Sequence, residues 1–163
     1  MSNIPSTEGP TTMPSPRERD VRAAIRDLLD AAGAFDGVYP AGLPEDHGER
    51  SGDLRAAAIE PVGTEVDAQG DDVAGALTAS ATIALTLIAR DDDPEARDAA
   101  AEHLLYVAAD ALNGVSLAGA TLPASTRIRS WSWRKAVAPE RRIEAVLAFQ
   151  YLVEGWAGFD ASE

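Results

Sequence analysis

Apolar and polar positions alternate along three stretches of the C-terminal half of the chain and recur with helical spacing along a fourth. Around residues 80–90, Ile83, Leu85 and Leu87 share one face, opposed by Thr82, Ala84, Thr86 and Ile88. Apolar or threonine side chains on both faces predict a central strand over 77–90. Asp93-Pro94 then offers an N-cap followed by a proline suited to a first helical turn, and the acids of 91–95 favour the helix dipole. A helix over 93–113 follows, with Ala96, Ala100, Leu104, Val107 and Ala111 as its buried stripe, supported by Leu105, Ala108 and Leu112, and with Asn113-Gly114 as its stop. Residues 127–135 alternate again: Arg127, Arg129, Trp131 and Trp133 on one side, Ile128, Ser130, Ser132 and Arg134 on the other. After a turn at Ala138-Pro139-Glu140, residues 141–153 place Ile143, Ala145, Leu147, Phe149, Tyr151 and Val153 on one face. That β-α-β-β order predicts a small sheet whose closing hairpin turns its apolar face to one long helix.

The N-terminal half is less regular. Val21, Ala24, Ile25, Leu28 and Leu29 form a stripe that predicts a helix over 17–32, stopped at Gly33. A short strand is expected over 35–39 and another over 54–62, where Pro61 confines the strand to an edge or an end. Between and after them, 40–53 and 63–76 read as long polar loops, of a length common in functional segments or in segments ordered by assembly. Residues 1–16, with four prolines and no apolar period, read as a flexible arm, and 156–163 as a tail. The expected fold is a single α+β domain over 17–155, in the order α-β-β-β-α-β-β, with a mixed or antiparallel sheet and the N-terminal helix packed on it.

Composition narrows the choice. A length of 163 residues, 45% apolar content and a mean hydropathy of −0.14 fit one soluble domain with an alanine-rich, thin core. Absence of cysteine excludes disulfides and thiolate metal sites. No run approaches the length of a membrane span, so a cytosolic start is expected. The net charge of −13 argues against nucleic-acid binding through the whole surface. Its sign is segregated: 45–75 carries nine acids and two bases, 91–113 seven and one, but 121–153 two acids and six bases. Such a pattern suits solvated acidic helices and loops, or a protomer with complementary faces that stacks on a copy of itself.

No catalytic motif stands out. His47, among Glu45, Asp46 and Glu49, matches no metal-ligand spacing and reads as part of a solvated loop. His103 reads as a boundary residue of the long helix. Asp91-Asp92-Asp93 lacks the glycine and distal glutamate of a calcium loop, and helix capping accounts for it. Phosphate-loop and nucleophile-elbow patterns are missing, so no cofactor, metal or catalytic residue is expected. The best constellation is Trp131 and Trp133 with Arg127, Arg129, Arg134 and Lys135, extended by Arg141 and Arg142 on the next strand. Interleaved aromatic and basic residues serve a protein interface, stack on single-stranded nucleic acid, or simply pack under the helix with the charges protecting a sheet edge.

The leading helix VRAAIRDLL, the unit ATIALTLIARDDDPEARDAAAEHLLYVAADALNG and the hairpin RIRSWSWRKAVAPERRIEAVLAFQYLV together resemble the tail terminator and related minor tail proteins of long-tailed bacteriophages. The resemblance covers about 17–153 and lies in order and pattern. It implies a non-enzymatic virion protein, assembled in the host cytoplasm, whose copies form a ring, typically a hexamer, that caps the tail tube and joins it to the head. Implied partners are copies of the chain itself, the major tail tube protein and head–tail connector proteins, with DNA passing non-specifically through the lumen; a head-closure or adaptor ring is the alternative. Within that picture, Arg127–Lys135 would meet an acidic neighbouring protomer. The loop residues Glu45, Asp46, His47, Glu49, Asp67, Asp71 and Asp72 are candidates for contacting the tube or connector.

Overall fold

The computed structural model describes residues 17–49, 52–67 and 76–154. Its elements follow the expected order: α1 (Arg17–Ala31), β1 (Gly37–Tyr39), β2 (Leu54–Asp67), β3 (Ala76–Arg90), α2 (Pro94–Leu112), β4 (Arg127–Trp133) and β5 (Glu140–Glu154), with short 3-10 turns at His47–Glu49, Leu117–Gly119 and Pro123–Ser125. The five strands form one mixed sheet in the order β1-β2-β3-β5-β4, in which β1 and β2 are parallel and every other pairing is antiparallel. As its two-sided apolar pattern predicts, β3 lies at the centre.

Both helices cover the same face. Val21, Ile25 and Leu29 of α1 are fully buried, and Gly33 ends the helix at φ +78°. With Leu104, Leu105, Ala108 and Leu112 of α2 they meet Ala57, Ile59, Ile83, Leu85, Leu87, Ile143, Ala145, Leu147 and Phe149 from the strands. Asp93 caps α2 by accepting a hydrogen bond from the Ala96 amide at 3.3 Å, and Pro94 takes the first turn.

Two expectations are corrected along these elements. The buried stripe of α2 is Arg97, Ala101, Leu104, Leu105, Ala108 and Leu112, about one position round from the expected one. Alanine on several faces of the helix leaves its rotation to the leucines, and these select the stripe. Second, β2 does not stop at Val62: a bulge between Pro61 and Gly63 absorbs the proline, and pairing with β3 resumes from Gly63 to Asp67. The expected loop over 63–76 is therefore strand as far as Asp67 and strand again from Ala76, with 68–75 outside the described residues. Pro61 is tolerated because β1 pairs with residues 56–58, so among the described residues β2 is by then the sheet edge.

Among the described residues, the opposite face of the sheet carries a second core at one end. There Leu54, Ala56 and Ile88 pack with Tyr39 and Leu43, beneath the segment that follows β1. Gly37 makes room for this arrangement, since a Cβ at that position would sit 2.6 Å from the Tyr39 hydroxyl.

Candidate assembly interface

β4 is an edge strand that, among the described residues, pairs with no strand but β5. It starts where Asn113, at the end of α2, accepts a hydrogen bond from the Ile128 amide at 2.7 Å, and where the Gly114 amide donates to the Thr126 carbonyl at 2.7 Å. A bulge between Ile128 and Ser130 then shifts the register. The simple alternation expected for 127–135 is corrected by it. Ile128, Trp131 and Trp133 pair with Leu147, Ala145 and Ile143, so they lie on the helix side, whereas Arg127, Ser130 and Ser132 pair with Ala148, Val146 and Glu144 on the other side.

The helix layer does not reach far enough to cover the two tryptophans. Trp131 is 54% exposed and Trp133 42%. Ile128 is half-buried against the core, and Arg127, Arg129, Arg134 and Lys135 are all exposed. Arg134 approaches Glu144 to 3.5 Å. Arg141 stacks on the Trp133 ring with its guanidinium carbon 4.9 Å from the ring centre, and its Nε lies 3.3 Å from Asp98 of α2 as an ion contact rather than a hydrogen bond. The strand thus carries an exposed aromatic pair flanked by cations, with Trp133 held by Arg141, a composition typical of interface anchors.

The expected loop contacts divide. Glu45 and Asp46 are exposed, Glu49 closes the 3-10 turn, Asp67 is the last residue of β2, and Asp71 and Asp72 lie outside the described residues. His47 is not in a solvated loop. It is buried, and its Nε2 lies 2.8 Å from Glu140 Oε2. Glu140 opens β5 directly opposite Arg90 at the end of β3. The Arg90 guanidinium donates to Glu140 Oε2 and, at 3.4 Å, to the His47 carbonyl, while Arg142 donates to Glu140 Oε1 from Nε and Nη2 at 3.1 and 3.0 Å.

Burial pushes the Glu140 carboxyl up, but hydrogen bonds from Arg90 and Arg142 and the charges of Arg142 and His47 outweigh it, so the group titrates below its ordinary 4.5. A carboxylate only accepts, so Nε2 of His47 carries the proton in this bond; Nδ1 is buried without a partner among the described residues. This cluster clamps the segment after β1 across the ends of β3 and β5. Sequence reasoning missed it because His47, Arg90 and Glu140 are 43 to 93 residues apart and only strand register brings them together.

No protein-family model and no curated protein matches the sequence. The fold is shared with a solved structure, a chain of the "Virion of native gene transfer agent (GTA) particle". The TM-score is 0.51 at 19% identity, over 82% of this chain and 94% of that one. Coverage of most of both chains means that the likeness is one of overall fold and not of one motif.

Proposed function

We propose that this protein is a structural component of a phage-like virion, acting as a tail terminator. Its copies form a ring, typically a hexamer, that caps the tail tube and presents a surface to the head connector. The observation that carries this reading is the edge strand β4, which holds Trp131 and Trp133 half-exposed among Arg127, Arg129, Arg134 and Lys135. Exposed aromatic anchors on a rigid edge are an assembly surface awaiting a partner. The shared architecture with a chain of a gene transfer agent virion supports the same reading. So does the net charge of −13, since an acidic lumen lets DNA pass without phosphate contacts holding it.

The test is direct. Purified protein is imaged and its mass measured in solution, then mixed with isolated tail tubes and with connector particles. Rings that seat on tube ends are expected. A strict monomer at high concentration and in the presence of tubes would sink the reading, and rings that bind connectors but not tubes would move the protein to a head-closure or adaptor position.

A further inference from the structure

We infer that the outer edge of β4 pairs with the free stretch of β2 in a second copy of this chain, so that one sheet continues from subunit to subunit around the ring. This rests on the assembly reading above and names its contact. At one end of the sheet, β4 has β5 on one side and, among the described residues, no strand on the other. At the opposite end, β1 covers β2 only at residues 56–58, and among the described residues no strand pairs with 59–67 on that side. The regular part of that stretch, beyond the bulge, is 63–67. Each edge offers backbone groups that another strand can satisfy.

Joining two different edges of the same protomer is a head-to-tail contact, the kind that closes into a ring when the rotation between copies completes a turn. Strand direction agrees. β2 runs against β3, β3 against β5, and β5 against β4, so β4 runs opposite to β2. A neighbour rotated about an axis near the strand direction therefore brings its β2 antiparallel to β4, which is the more stable pairing.

Charge and apolar surface agree as well. Residues 127–135 contain four bases and no acid, and 59–67 contain acids and no base. Arg127 and the exposed Glu60 and Glu65 lie on the sheet face away from the helices, as their partners Ala148, Ala84 and Ser80 show. Opposite charges thus meet on one face, whereas two-fold pairing of β4 with β4 sets arginines against each other. On the other face, a continued sheet brings Trp131 and Trp133 beside Thr64 and the first turn of the neighbour's α1. Thr64 already holds that turn by donating to Glu18 at 2.6 Å. The tryptophans gain the cover that their own helices do not supply.

Because the chain has no cysteine, the contact can be cross-linked selectively. Ser130→Cys or Ser132→Cys is combined in one chain with Gly63→Cys or Glu65→Cys, and the protein is oxidised after assembly. At least one of the four combinations is expected to give a ladder of oligomers ending at the ring's subunit number, while the single variants give none. In parallel, the double reversal R127E/R129E is expected to weaken assembly at least about tenfold, and adding E60R/E65R to restore it. Rings that cross-link in none of the four combinations, or a Ser130→Cys variant that dimerises alone through β4, overturn this contact and leave the ring reading standing. Failure of the unsubstituted chain to form rings overturns both.

Discussion

Glu140 stays charged in a confined place because two guanidinium groups and His47 face it, and its carboxyl titrates below the ordinary 4.5. A depressed carboxyl contributes stability above its unfolded value and loses it as the pH falls through its folded value. Acid should therefore erode the stability of the unsubstituted protein below about pH 4.5 more steeply than that of E140Q, as melting followed across pH 3 to 6 would reveal. Near neutral pH, Glu140→Ala leaves the buried Arg90 without this carboxylate and should cost about 3 kcal/mol in denaturant unfolding. His47 has a different task, since it ties the segment after β1 to the strand ends. His47→Ala is expected to cost about 1–2 kcal/mol and to open residues 40–49 to limited proteolysis, while leaving the α2 amides protected from hydrogen exchange. Equal protection of 40–49 in both proteins would show that the clamp holds nothing.

The secondary elements separate folding from assembly. α2 is held at its start by Asp93, and its Asn113 reaches forward to the first residues of β4. Loss of the cap in Asp93→Ala should lower stability by about 1 kcal/mol. The tryptophans should behave in the opposite way. With Trp131 54% exposed and Trp133 42% exposed, the double substitution to serine should change the melting temperature little yet weaken self-association at least about tenfold. Sedimentation and thermal melting on the same sample check both halves. A large drop in melting temperature would instead place the two rings in the fold's own core. The bulge at 128–130 makes this separation possible: it turns Trp131 to the helix side together with Ile128 and leaves Arg127 on the other face.

At the scale of the molecule, the decisive property is that charge, and among the described residues unpaired strand edge, are divided between the two ends of one sheet. Attraction between an acidic edge and a basic one acts through solvent, so it weakens as salt shortens the screening length from about 10 Å near 0.1 M to about 3 Å near 1 M. Ring assembly should accordingly weaken with added salt, and the R127E/R129E/E60R/E65R chain should show the same dependence. Salt-independent assembly of both would mean that apolar contacts alone join the copies. The likeness to a virion chain at this scale extends over 94% of that chain, which makes the arrangement of edges, rather than any local motif, the feature to compare.

Hydrophobic period alone was enough to place α1, α2 and β3 and to pair 127–135 with 141–153. Burial on one stripe or one face is a local property, and caps such as Asp93 and Gly33 mark its ends. It also singled out Trp131, Trp133 and their arginines. Their exposure was another matter, because it depends on how far α2 extends across the sheet. Tertiary structure alone decided the rest. The rotation of α2 was set by which leucines reached the strands, the length of β2 by a bulge that bypasses Pro61, and the faces of β4 by a second bulge. His47 shows the difference most sharply. Its neighbours in sequence are acids in a polar segment, yet its environment is Glu140 and Arg90, brought to it by the register of β3 against β5. Periodicity records which face of an element is apolar; only packing decides which distant charges share the space beside it.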